Sequence, residues 1–263
     1  VNLYRSGKLH ERIEKARKLL QECQICPRRC KVNRLENRLG ICKVGKRPKV
    51  SSYNPHFGEE SPLVGVHGSG TIFITSCNLG CVFCQNHDIS HGGEGYEISF
   101  ERLAHMMIEL QDMGCHNINF VTPTHVVPQI LDALPMAIRD GLNIPLVYNT
   151  GGYDCVETLQ LLEGVFDIYM PDFKFFVFFV AAKLCKARDY PQVAMKAVKE
   201  MHRQVGDLVV DGGGIAKQGL IVRHLVMPNG LAGTRKVMQF LAQNISSNTY
   251  VNIMDQYHPC GLA

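Results

Sequence analysis

Three cysteines stand close together in one short segment, at Cys77, Cys81 and Cys84. An apolar, β-branched run at 71–75 precedes them and predicts a strand, so the cysteines lie on the loop that leaves its end. Three thiolates on one loop can bind three irons of a cubane iron–sulfur cluster and leave the fourth iron open to a small molecule. A tetrahedral zinc site would need a fourth ligand, and a ferredoxin-type cluster would need a fourth cysteine. Three buried or zinc-bound thiols remain the alternative interpretation.

A second group of four cysteines precedes this loop, with the spacing C-x2-C-x3-C-x11-C. Its members are Cys23, Cys26, Cys30 and Cys42. Four thiolates at such spacing are typical of a metal site, and either zinc or a second iron–sulfur cluster would satisfy them. Unligated thiols are the alternative. The chain has eleven cysteines, an odd number, and their clustering favours metal binding in a reducing cytoplasm over a disulfide framework.

Alternating strand and helix patterns must position these cysteines. Strands are predicted at 71–76, 117–121, 144–149, 165–171, 219–226 and 249–254, and helices at 99–113, 125–140, 154–163, 190–205 and 233–243. Six strands with intervening helices favour a mostly parallel α/β fold, here a partial (β/α)6 TIM-like barrel with a small N-terminal cysteine-rich metal-binding segment. We predict a basic helix plus the four-cysteine segment at 1–50, a connector at 51–69 and the barrel at 70–263.

The spacing of the three-cysteine loop, with Phe83 just before the last cysteine, resembles the signature of the radical SAM enzymes. The resemblance implies that Cys77, Cys81 and Cys84 ligate a [4Fe–4S] cluster and that S-adenosyl-L-methionine chelates its open iron. An electron from the cluster would then cleave the sulfonium to a 5′-deoxyadenosyl radical, which abstracts hydrogen from a substrate. It also implies that Phe83 packs beside the cofactor, and that a reductant such as flavodoxin or ferredoxin supplies the electron.

In such a barrel the carboxyl ends of the strands face the cofactor. Candidate contacts are Thr122, Thr124 and His125 after the second strand, Asn149 at the third, Arg223 in the fifth, and Tyr257 or His258 after the sixth. In the fourth strand, Asp172 and Lys174 point the same way and are expected to form an ion pair. Arg223 could instead pair with Asp172 rather than with the cofactor. The Gly-Gly-Glu at 92–94 lies just after the cysteine loop, so we interpret it as a turn.

Several longer segments resemble one branch of the superfamily, the homologues of pyruvate formate-lyase activating enzyme. They are 26–30, 52–60, 77–86, 119–125, 148–153, 170–174 and 252–257. True activating enzymes abstract hydrogen from a glycine of a partner enzyme, but the shared cysteine motif does not imply that this branch does the same. We expect an oxidoreductase whose substrate is either a protein glycine or a small molecule. The chain departs from that branch at 175–182, which is more apolar than expected, and it contains no Trp.

Charge is distributed unevenly along the chain. Residues 1–50 carry 15 Lys and Arg against 4 Asp and Glu, whereas 51–263 carry 13 against 20. Opposite signs favour docking of the basic head on the rest of the protein over nucleic-acid binding, because only Tyr4 is interleaved as an aromatic. No apolar run reaches the ~18–20 residues of a membrane span. The competing function is a non-catalytic iron–sulfur electron-transfer or scaffold protein.

Overall fold

The computed structural model describes residues 1–263 and has a nine-stranded sheet at its centre. The strands are β1 (Lys49–His56), β2 (Ser69–Ile74), β3 (Tyr96–Glu97), β4 (Ile118–Val121), β5 (Leu146–Thr150), β6 (Ile168–Pro171), β7 (Val209–Val210), β8 (Ala216–Leu225) and β9 (Tyr250–Met254). Their hydrogen-bonding order is β3-β1-β2-β4-β5-β6-β8-β7, and β9 also pairs with β8. The path does not close on itself, so the protein has a mixed α/β fold around an open central sheet.

Six strands form the parallel part of this sheet, in the order β2, β4, β5, β6, β8 and β9. They are the six strands that the sequence predicts, with bounds that differ by at most three residues. Parallel strands bring their carboxyl ends to the same edge of a sheet, where the following loops meet. The loop with the three cysteines therefore shares an edge with the ends of β5 and β6.

The predicted connector at 51–69 needs a correction, because it contains most of β1. This strand pairs antiparallel with β2, and β3 covers only its first two residues, Lys49 and Val50. Its Ser, Asn and Pro content is typical of a loop, so no strand was predicted. Pro55 is tolerated because β3 does not reach that part of β1, so its missing N–H leaves no pairing unmade there. The three-part division of the chain stays a prediction.

The helices connect the strands, and most of them pack on one face of the sheet, whereas α3 lies against the other. They are α1 (Asn2–Arg5), α2 (Lys8–Gln21), α3 (Ser61–Val64), α4 (Phe100–Asp112), α5 (Val127–Arg139), α6 (Val156–Leu161), α7 (Phe178–Cys185), α8 (Tyr190–Val205) and α9 (Thr234–Asn244). Five of them match the predicted helices. Helix α7 was not predicted, because its run of Phe, Val and Ala has no apolar–polar periodicity. No helix of the structure is both long and apolar enough to cross a bilayer.

The two faces of the sheet differ in what they pack against. Ile72, Phe120 and Tyr148 join the main core with the buried faces of the helices. Their neighbours along the strands point the other way, since side chains alternate, and Val147 and Ile168 form a small apolar cluster there with Leu63 of α3. Above that cluster, towards the carboxyl ends of the strands, this inner face becomes polar.

The basic N-terminal head docks on the rest of the protein, as its charge predicts. Arg17 of α2 pairs with Asp132 of α5, with 2.7 Å between the guanidinium and carboxylate. Leu9 and Ile13 of the same helix are buried in the main core. The head is therefore held by apolar packing, with the ion pair at its rim.

Candidate active site

The loop after β2 brings three cysteines to one cavity. Cys77, Cys81 and Cys84 all line this cavity, whose volume is about 380 Å³. All three are free thiols. Ser76, directly before them, has φ of 72°, in the left-handed region that few non-glycine residues adopt. The chain thus turns sharply at the end of the sheet and presents three thiols to the same space.

The protein environment favours the neutral form of two of these thiols, because it raises the pKa of Cys77 and of Cys81. Burial raises the pKa of Cys77 to about 12. A hydrogen-bonding contact with Cys185, together with burial, raises the pKa of Cys81 well above its usual range, and the charge of Lys174 opposes that rise. A bound metal supplies the positive charge that turns such thiols into thiolates. The donor set therefore suits a metal centre better than a free nucleophile.

Helix α7 supports the cysteine loop from behind. The backbone N–H of Gly80 donates to the carbonyl of Cys185 over 3.1 Å, and that of Val82 donates to Leu184 over 2.9 Å. The sulfurs of Cys81 and Cys185 are 3.2 Å apart, although Cys185 does not line the cavity. Helix α7, which begins within the apolar segment 175–182, thus holds the three-cysteine loop in place through its last residues, Leu184 and Cys185.

A network of charged and amide side chains forms another part of the cavity wall. Arg223 of β8 donates from Nε to Asp172 over 2.9 Å, from Nη1 to Glu59 over 3.2 Å and from Nη2 to Asn149 over 2.7 Å. Lys174 donates to the second oxygen of Asp172 over 2.5 Å. The expected Asp172–Lys174 ion pair is confirmed, and Arg223 shares the same carboxylate. Two carboxylates therefore meet two cations in one connected network.

These residues stay charged despite their burial. Burial opposes ionisation of Asp172, but Arg223 and Lys174 outweigh it and lower the pKa of the carboxyl. Burial also opposes the charge on Lys174, and Asp172 outweighs it, so the pKa of the ammonium lies well above its usual range. The wall is rigid and ionic, with hydrogen-bonding capacity beside the three thiols.

Comparisons with known proteins agree with this site. The sequence model of the radical SAM superfamily matches residues 71–214, from β2 to the turn before β8. The chain is also 35% identical over 257 residues to a protein of Methanocaldococcus jannaschii named Uncharacterized protein MJ0674. That match covers 94% of this chain and 69% of the archaeal protein. The chain belongs to the radical SAM superfamily. Membership implies a [4Fe–4S] cluster and S-adenosyl-L-methionine as cofactors.

The cavity of this radical SAM protein fits such a cofactor pair in its chemistry. No three His, Cys, Asp or Glu side chains are arranged around one point to hold a single metal ion. In a cubane cluster each thiolate binds a different iron, so its sulfurs need not converge in that way. Three cysteines that line one cavity, with no fourth cysteine in its wall, match a cluster with one open iron.

Four of the predicted cofactor contacts lie in the cavity wall. They are Phe83, Thr122, Asn149 and Arg223. Phe83 is nearly buried and packs edge-on against Phe175, with 5.7 Å between ring centres. Contact of these residues with a cofactor stays a prediction.

The other three predicted contacts, Thr124, His125 and His258, lie outside the wall of the cavity. Thr124 is buried and lies 2.9 Å from the hydroxyl of Thr150, so its polar group is used inside the fold. His125 is also buried, and its Nε2 donates to the carbonyl of Thr75 over 3.0 Å. His258 is exposed on the chain after β9. The position directly after a strand predicted correctly that Thr122 lines the cavity. It does not determine where residues further along the loop point.

Glu59 and Gln256 also line the cavity, and neither was predicted. Glu59 lies in the predicted connector, and no spacing rule links it to Arg223. A signal did exist, since Glu59 falls in one of the segments that resemble the activating-enzyme branch. The Gly-Gly-Glu at 92–94 lies outside the cavity, as expected for a turn.

The four-cysteine segment sits directly beside the three-cysteine loop. Arg28, between Cys26 and Cys30, donates to the carbonyl of Asn78 over 2.8 Å and to that of Lys186 over 2.5 Å. Asn78 follows Cys77, so this one side chain joins the two cysteine groups. Cys23, Cys26 and Cys42 are buried, and none of the four cysteines lines the cavity.

Proposed function

We propose that this protein is a radical SAM oxidoreductase in which Cys77, Cys81 and Cys84 ligate the [4Fe–4S] cluster. The supporting observation is that three free thiols of one loop line the same cavity as a buried ionic network. When bound, the cluster and S-adenosyl-L-methionine supply a 5′-deoxyadenosyl radical that abstracts hydrogen from a substrate. A partial barrel of the six parallel strands would hold both cofactors at its mouth.

The residues of the wall have distinct tasks in this proposal. Arg223 and Lys174 are held in place by Asp172, so they can bind anionic or hydrogen-bonding groups without reorganisation. Asn149 and Glu59 orient Arg223 from the other side. Phe83 and Phe175 cover the cysteine loop with aromatic surface, which keeps water away from it.

The substrate class follows the resemblance to the activating-enzyme homologues. We propose that the enzyme abstracts hydrogen from a glycine of a partner protein, with a small molecule as the other candidate substrate. A reductant such as flavodoxin or ferredoxin would supply the electron in the cytoplasm. We also propose that Cys23, Cys26, Cys30 and Cys42 hold a second metal centre, either zinc or iron–sulfur.

Anaerobic reconstitution tests the enzyme proposal. After reduction with dithionite, the protein should convert S-adenosyl-L-methionine to 5′-deoxyadenosine and methionine, measured by chromatography. The triple variant with Cys77→Ala, Cys81→Ala and Cys84→Ala should form neither product. The control is Cys115→Ala, which removes a buried thiol remote from the cavity and should retain activity.

Electron paramagnetic resonance distinguishes the non-catalytic alternative. S-adenosyl-L-methionine should change the spectrum of the reduced cluster, because it would bind the open iron. A reducible cluster whose spectrum ignores the added compound, with no 5′-deoxyadenosine formed, would identify an electron-transfer or scaffold protein instead.

A further inference from the structure

Arg34 is a buried cation without a carboxylate partner. It is only 1% exposed, and no Asp or Glu oxygen lies within 4.0 Å of its guanidinium. Its Nη1 donates to the carbonyl of His125 over 2.8 Å, and its Nη2 donates to that of Gly45 over 3.2 Å. Its Nε has no partner. A buried charge is costly unless an opposite charge accompanies it, so this position calls for an anion.

The nearest candidates for that anion are thiols of the four-cysteine segment. Nη1 of Arg34 lies 3.9 Å from the sulfur of Cys23. Neutral thiols would not compensate the cation. Four thiolates around zinc, or around a [4Fe–4S] cluster, leave a net negative charge that would.

We propose that the four N-terminal cysteines hold an anionic metal–thiolate centre and that Arg34 is its buried counter-cation. The inference deepens the second metal centre proposed above and does not depend on the radical chemistry. No three of these cysteine side chains surround one point, so the arrangement suits a cluster, in which each thiolate binds a different iron, better than a single zinc ion. Either centre would be an anionic tetrathiolate. A pair of disulfides among the four cysteines would leave Arg34 uncompensated.

Arg34 also connects this centre to the catalytic cavity. It binds the carbonyl of His125, whose ring binds the carbonyl of Thr75, two residues before Cys77. Arg28 reaches the same loop through Asn78. Two arginines of the metal-binding segment therefore brace the three-cysteine loop, one on either side of Cys77 in sequence. Loading of the N-terminal centre should fix their positions and so stabilise the loop.

The test uses the full chain with Cys77, Cys81 and Cys84 replaced by Ala, so that only the N-terminal centre binds metal. The probes are Co²⁺, followed by its thiolate charge-transfer absorption, and iron with sulfide, followed by cluster absorption and metal analysis. Either one Co²⁺ ion or one iron–sulfur cluster should bind per chain. Absence of both signals overturns the proposal, and it leaves the 5′-deoxyadenosine experiment on the parent enzyme unaffected.

Variants at Arg34 test the counter-charge. Arg34→Met should weaken binding of the accepted probe at least tenfold, whereas Arg34→Lys, which keeps the charge, should recover most of that loss. The matched control is Arg38→Met in the same segment, where the side chain is exposed, and it should bind as the parent does. If Arg34→Met does not fold, tight binding by Arg34→Lys supports the proposal. The proposal is overturned if Arg34→Met binds the probe as tightly as the parent does. It is also overturned if Arg34→Met folds and Arg34→Lys binds the probe no more tightly than Arg34→Met.

Discussion

The two cysteine groups of this protein differ in what surrounds their sulfurs. Cys77, Cys81 and Cys84 line an open cavity whose wall contains carboxylates and cations in balance. The four N-terminal cysteines are removed from that cavity and lie beside a lone buried cation, Arg34. The first environment suits a centre that exchanges small molecules. The second suits a closed centre that compensates charge and supports its neighbour. Under the proposals made above, the same ligand type would serve two purposes, according to access and local charge.

The buried arginine of the cavity wall, Arg223, gives the strongest test of this comparison. Arg223 already has protein carboxylates, so Arg223→Met should leave Asp172 and Glu59 poorly paired and lower the free energy of unfolding by about 3–5 kcal/mol without metal. Urea denaturation measures this loss. The control is Arg203→Met, an exposed residue that also bonds two carboxylates, where a much smaller loss is expected because solvent screens its ion pairs. Equal losses at both positions would contradict the buried-network interpretation.

Close packing beside Asp172 predicts a slightly smaller loss of stability. Gly152 has φ of 76°, and a Cβ there would lie 2.4 Å from the carbonyl oxygen of Asp172. Gly152→Ala should therefore cost about 2–4 kcal/mol of stability and displace the strand end that carries Asp172. Gly141→Ala is the control, since that residue also has positive φ but open space around it. A loss near 1 kcal/mol in both variants would show that backbone strain alone matters.

Acid should weaken the ion pairs of Asp172 in the cavity wall. The folded pKa of Asp172 is lowered, so its contribution to stability is present above the unfolded pKa of about 3.9 and is lost as pH falls through the folded value. Arg223→Met removes the main positive charge that opposes the effect of burial on Asp172, so the pKa of the Asp172 carboxyl should rise. The difference in unfolding free energy between parent and variant should be largest near neutral pH and should shrink as pH falls below about 4, through the folded pKa of Asp172. Urea titrations at several pH values measure it, and a constant difference would contradict the network.

Local patterns predicted the sheet and the cysteine loop, but not the partnerships between distant residues. The six parallel strands are short apolar runs, and the spacing of Cys77, Cys81 and Cys84 is read directly from the chain. Cys185 and Glu59 could not be assigned, because their roles depend on contacts with Cys81 and Arg223 more than 100 residues away. The burial of His125 could not be predicted for the same reason, since its ring bonds the carbonyl of Thr75 inside the fold.

The smallest predicted effect separates local stability from metal binding. The side chain of Asn33 accepts a hydrogen bond from the N–H of Leu35 over 3.1 Å and so caps the turn that carries Arg34. Asn33→Ala should cost about 1 kcal/mol and weaken the N-terminal metal centre by up to about tenfold, because the turn positions the counter-cation. Ser99→Ala removes a similar cap from α4, a helix that contains none of the seven cysteines, and should cost as much stability without changing metal affinity. Equal metal affinity in the two variants would mean that the orientation of Arg34 is set by its buried contacts rather than by the turn.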